Sequence, residues 1–169
     1  MMKPVMPPVV SIVGRSESGK TTLIETLIPE LKRRGYRIGT IKHTHHALRI
    51  DHSGKDSARH RAAGAQTVIL ASSGQIAMIK STSSESVADL MRYFDDVDLL
   101  ITKGYKREKT PKIEVMRAAV HSELLCRNDP SLIAVATDAD VAVHVPVFRL
   151  DDPVSIAAYI ERRFLNPAG

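Results

Sequence analysis

The stretch GRSESGKT, Gly14 to Thr21, constrains this chain more than any other eight residues. It meets G-x-x-x-x-G-K-[ST] at every fixed position and stands where that pattern has chemical meaning. Before it runs Val9 to Gly14, a continuous apolar segment suited to a strand buried on both faces of a parallel sheet. After it, Leu23, Ile24, Leu27, Ile28 and Leu31 keep helical spacing from Gly19 to Arg34. The two glycines permit a tight backbone path, and the loop's N–H groups together with the helix N-terminus make an anion cradle. Gly14, Ser16, Glu17, Ser18, Gly19, Lys20, Thr21 and Thr22 are therefore the candidate phosphate contacts. Lys20 reaches the outer phosphates, and the Thr21 hydroxyl is a ligand for Mg2+. Such a loop reads as a site for a nucleoside di- or triphosphate. By itself it does not separate kinase, GTPase and ATPase.

The remaining elements predict one domain, residues 1–169, with an α/β fold of three layers: a mostly parallel sheet plus an antiparallel hairpin. RIGTIKHT is the second strand, and GKDSARHRAAGA a short helix closed by Gly64. QTVILASSGQIAMIKS makes two strands about Ser-Ser-Gly. SSESVADLMRYF is a helix with Ser84 as its cap, and DLLITKG, KIEVMRA, LIAVATD and VAVHVPVF are strands. Val154 to Phe164 forms the last helix. Pro29, inside the first helix, predicts a kink or an early end.

A chain of 169 residues buries about 70% of the surface its unfolded form exposes. Aromatic residues are 4% and Trp is missing, so Val, Ile, Leu, Ala and Met must fill the core. The single Cys126 excludes an internal disulfide and a CxxC zinc knuckle, and is read as a packed thiol without a role. No apolar run reaches membrane-spanning length, and MMKPVMPPVV is too short and proline-broken for a signal sequence. These features predict a cytoplasmic protein. The net charge of +5 suits a polyphosphate or an acidic partner. The basic clusters LKRRGYR and YKREKTPK carry no interleaved aromatics and match no nucleic-acid module, so neither nucleic acid nor membrane is an expected partner. LKRRGYR suits the negative end of the first helix as a solvated face. The lysines of YKREKTPK are candidates for a ligand phosphate or an acidic protein.

A phosphate loop ordinarily has an acid at the tip of a neighbouring strand. In DLLITKG the only acid, Asp98, starts the strand, roughly 16 Å from Lys103 at the other end. Asp98 therefore reads as a strand-start residue, and the tip carries Lys103 and Gly104. A charged lysine cannot ligate Mg2+. Of the acids after the second strand, Asp51 and Asp56, the preferred metal ligand is Asp51. Few acids and no evident water-positioning group predict slow hydrolysis. No N-K-x-D motif exists for guanine. Asp138, ending LIAVATD at the sheet's ligand edge, is the alternative base contact, or else a turn residue.

GRSESGKTTLIETLIPELKRRGYRIGTIKHTHH, then IDHSGKDSARHRAAGA, then DLLITKGYKREKTPKIEVMR together resemble MobB, the molybdopterin-guanine dinucleotide biosynthesis adapter family. The resemblance runs from about Val9 to Asp138. It implies a GTP-binding P-loop protein using Mg2+, with weak GTPase activity, forming a homodimer. It also implies a partner, the guanylyltransferase that attaches GMP to molybdopterin. Gly14 to Thr22 match the family's phosphate loop, Asp51 its aspartate before GKDS, and Gly104 its glycine after an acidic strand end. Where the family has V-E-G-F-K, this chain has Thr102-Lys103-Gly104-Tyr105-Lys106, and Ala47 and Arg49 replace acids after the histidines. Guanine preference follows from the resemblance. The alternatives are a small-molecule kinase and a metallochaperone-type NTPase using KHTHH. His45 and His46 on an extended segment face opposite ways, so they cannot easily share one ion. His43 to Lys55 therefore reads as a nucleotide-facing switch loop leading to Asp51. The homodimer would use Gln66 to Ser81 or the segment after Gly104.

Overall fold

The computed structural model of the chain describes residues 6–44, 46, 48 and 54–166. Its contacts form two compact units, Met1–His43 with Ser86–Gly169, and Thr44–Glu85.

The larger unit is built on a six-stranded sheet of β1 (Val9–Val13), β2 (Ile38–Lys42), β5 (Leu99–Lys103), β6 (Lys112–Met116), β7 (Leu132–Thr137) and β8 (Val147–Phe148). Their order is β2-β5-β1-β6-β7-β8, and every pairing is parallel. The central strands are apolar and β-branched because both faces are covered, and no residue of β7 escapes burial. The side chains alternate. Val10 and Ile12, Leu99 and Ile101, Ile113 and Val115 turn toward α1 (Lys20–Arg33) and α4 (Pro153–Ile160), which contribute Leu23, Leu27, Leu31, Ile156 and Ile160.

The opposite face is covered differently. At one side Phe94, after the short helix α3 (Val87–Leu90) and the 3-10 turn Met91–Tyr93, packs so close to β2 that a Cβ on Gly39 would lie 2.6 Å from its ring. At the other side irregular chain supplies Leu124, Cys126, Val141, Val143 and Val145 against Val13, Leu132 and Val135.

This face also buries polar groups. Lys112, 1% exposed, donates to Asp129 Oδ2 at 2.8 Å and to the Glu108 carbonyl. The carboxylate of Glu114, equally buried, accepts the backbone N–H groups of Leu125 and Cys126 at 2.5 and 2.7 Å. A helix would satisfy its own backbone; irregular chain needs such partners from side chains.

The smaller unit holds α2 (Asp56–Ala62) and the antiparallel hairpin of β3 (Thr67–Ser72) and β4 (Gln75–Lys80). Val68 of β3 is buried, whereas Ile69, Ile76 and Met78 on the other hairpin face are exposed.

The three-layer α/β reading with its added hairpin therefore holds. The first helix spans the expected stretch, and of the two outcomes foreseen at Pro29 the early end does not occur, since α1 runs on to Arg33. Two local expectations need correction. The cap of α3 is Ser86, not Ser84: its hydroxyl accepts the Asp89 N–H at 3.2 Å. Of VAVHVPVF only Val147–Phe148 pairs with β7, because Val141, Val143 and Val145 turn inward to cover the second face.

Candidate functional site

β1 ends at Val13, and the chain then winds through Gly14–Gly19 into α1. Gly14 has φ +141°, and a Cβ there would stand 2.3 Å from the Val115 carbonyl oxygen. The loop can lie against β6 only with glycine at this point. Glu17 also takes a positive φ, +61°, and Gly19, with φ +99°, precedes the helix. Successive turns of this kind gather backbone N–H groups around a concavity that suits an anion. Ser18 is fully buried beneath the loop. Ser16 gives its carbonyl to a contact with His121 Nε2 at 2.8 Å.

Two lysines meet here. Lys20 folds back, its ammonium donating to the Arg15 carbonyl and lying 3.4 Å from Ser18 Oγ. Its pKa is lowered, first by burial and then by the charge of Lys103. Lys103 ends β5, the strand beside β1, in register with Ile12. Its Nζ donates to Thr21 Oγ1 at 2.5 Å. The next strand, β2, places Lys42 in register with Lys103. Gly104 anchors the chain beyond them through its N–H to the Ile12 carbonyl, 3.2 Å. His43 and Tyr105 meet in a tilted ring contact, with centroids 4.9 Å apart. His43 thus belongs with the end of β5. His45 and Asp51 lie outside the described residues.

Asp98 sits at the opposite edge of the sheet. Its carboxylate accepts the Arg37 N–H at 2.7 Å and its guanidinium NH2 at 2.8 Å. The guanidinium and that N–H hold the carboxyl below its usual range. Asp138 directly follows β7, and its Oδ1 accepts the Ala118 N–H at 2.6 Å. It lines a cavity of about 800 Å³ with Arg117, Thr137, Phe148 and Arg149. Arg117 continues toward the loop, its NH2 3.4 Å from where a Gly19 Cβ would be. Sequence reasoning missed Arg117 and His121. The one available signal was position, since both follow β6 at the edge where parallel sheets bind ligands. The cluster YKREKTPK divides: Lys112 is core, while Lys106 and Arg107 line a second cavity of about 960 Å³ with Arg127 and Glu123.

Of the two expected magnesium ligands, the Thr21 hydroxyl already accepts a hydrogen bond from the Lys103 ammonium, whose charge opposes a cation there, and Asp51 lies outside the described residues.

A buried parallel strand, the wound loop, and a helix starting at Lys20, flanked by parallel β5 and β6, define the P-loop NTPase fold. The profile of the family described as Molybdopterin guanine dinucleotide synthesis protein B matches residues 9–138, and the chain belongs to that family. It is 38% identical over 157 residues to the molybdopterin-guanine dinucleotide biosynthesis adapter protein of Haemophilus influenzae, covering 91% of this chain and 88% of that one. The Escherichia coli protein of the same name is 36% identical over 161 residues, 92% of each chain. Among solved structures, a molybdopterin-guanine biosynthesis protein B superposes with TM-score 0.71 at 32% identity, covering 90% of this chain and 97% of that one. Bacillus subtilis MobB gives TM-score 0.70 at 25% identity, covering 92% and 97%.

Proposed function

We propose that this chain binds GTP on Gly14–Thr22 and acts as an adapter in molybdopterin guanine dinucleotide biosynthesis, serving the guanylyltransferase that attaches GMP to molybdopterin. The observation that carries this reading is the cationic loop itself, with Lys20, Lys103 and the start of α1 converging on one concavity. Triphosphate oxygens would replace the Arg15 carbonyl and Ser18 hydroxyl as partners of Lys20. The base would lie toward Arg117 and Asp138, whose carboxylate suits the N1 and N2 hydrogens of guanine. With no carboxylate base among the described contacts of Thr21, Lys20 and Lys103, hydrolysis would be weak. Titration with GTP, GDP and ATP tests the reading. GTP should bind at least about tenfold more tightly than ATP, and Lys20→Ala should abolish binding; equal affinities would refute guanine selection.

The same proposal includes a homodimer through the hairpin. Ile69 pairs with Met78 and Ala71 with Ile76, and Ile69, Ile76 and Met78 are 59%, 73% and 41% exposed. Such a contiguous apolar face is favourable to cover. Ile76→Asp should shift the sedimenting species from dimer to monomer, and an unchanged wild-type monomer would refute this part. A cytoplasmic setting accords with a biosynthetic adapter that has one cysteine.

A further inference from the structure

The Thr21 hydroxyl is the group that a phosphate loop offers to a divalent cation bound between the outer phosphates. In this chain it is already the acceptor of an ammonium hydrogen bond, 2.5 Å from Lys103 Nζ. The Lys103 side chain starts from a fixed point of the sheet. The residue is the last of a buried strand, hydrogen-bonded on both sides, with β1 at Ile12 and β2 at Lys42. The backbone after it is tied to β1 by the Gly104 N–H. Sheet register therefore fixes the backbone position from which the Lys103 side chain reaches the Thr21 hydroxyl.

Charge decides the rest. A divalent cation on Thr21 would sit against a positive group sharing the same oxygen, with Lys20 close enough to feel that group as well. An ammonium offers three donors and no lone pair, so it repels the cation without ligating it. A triphosphate reverses the sign of the problem. Its oxygens accept from both lysines, and the Lys103 ammonium can keep the Thr21 hydroxyl while donating its other hydrogens to phosphate.

We propose that Lys103 occupies the place of the divalent cation, so that this chain binds nucleoside triphosphate without a divalent metal. The proposal rests on the reading of Gly14–Thr22 as the nucleotide site. One fixed positive charge then stands where a mobile double charge would otherwise arrive with the ligand, and nucleotide affinity becomes insensitive to free magnesium.

The test is calorimetric titration of the full chain with GTP, in buffer containing MgCl2 and in buffer containing EDTA. Wild type should give dissociation constants within about threefold of each other. Lys103→Met should lose about tenfold or more in EDTA, the loss expected for a charge-assisted hydrogen bond to phosphate. Lys103→Glu should bind weakly in EDTA and recover with magnesium. Thermal melts of both variants, matched to wild type, show that the changes arise at the site. Wild-type binding that requires magnesium overturns this inference alone, as does Lys103→Met binding normally in EDTA. Absence of GTP binding in both buffers, or full binding by Lys20→Ala, overturns the nucleotide-site reading together with it.

Discussion

Changing Glu114 to glutamine alters one atom of a buried side chain and leaves its shape intact. The carboxylate is 1% exposed on β6, and its two oxygens accept the N–H groups of Leu125 and Cys126 at 2.5 and 2.7 Å. Glutamine retains one acceptor. Its amide NH2 then faces the second backbone N–H, donor against donor, and leaves that N–H without a partner. A buried orphaned donor costs about 1–3 kcal/mol, and weakening the charge-assisted bond adds to it, so about 3 kcal/mol is expected. For a domain of this size that lowers Tm by about 6–12 °C. Urea denaturation followed by circular dichroism measures the free energy, and amide exchange at Leu125 and Cys126 localises it. A chemical readout accompanies these. The Cys126 thiol is pushed up to about 11, first by burial and then by the Glu114 and Asp129 carboxylates. Removing the Glu114 charge should lower it and speed alkylation of the folded protein. Stability within about 0.5 kcal/mol of wild type would refute the reasoning, because surface-like substitutions give changes of that size. Unchanged exchange at the two amides would refute it as well.

Gly14→Ala should destabilise the chain by about 2–4 kcal/mol, from an unfavourable φ and a Cβ pressed into the Val115 carbonyl; GTP titration should show the affinity falling too, and a well-folded variant with normal binding would contradict the loop geometry. Asp129 gives a pH dependence. Its pKa is lowered from 3.8, chiefly by the hydrogen bond from Lys112, so its contribution is present above the unfolded value and is lost as pH falls through the folded one. Stability should therefore decline more steeply below about pH 4 in wild type than in Asp129→Asn, as read by urea midpoints across that range.

The phosphate loop was legible because its conformation is local. A strand, a turn with required positive φ at Gly14 and Gly19, and a helix are all written within contiguous residues. The parallel sheet and the hairpin were legible for a similar reason, since strands buried on both faces read as continuous apolar runs and a hairpin carries its turn residues between two strand runs. Asp98 was readable by length alone, as the far end of a strand whose tip was Lys103, and its pairing with Arg37 agrees. The partners of charged residues had no such local signature. Lys112 looked like one more lysine of a basic cluster, yet a pairing with Asp129 makes it core. Val141, Val143 and Val145 alternate as a strand does, but they cover a sheet face instead of joining the sheet. Composition and motif thus determined what kind of ligand the loop could take. Only the register of β5 beside β1 brought Lys103 within reach of the Thr21 hydroxyl, because residues 82 positions apart meet through tertiary pairing and leave no pattern between them.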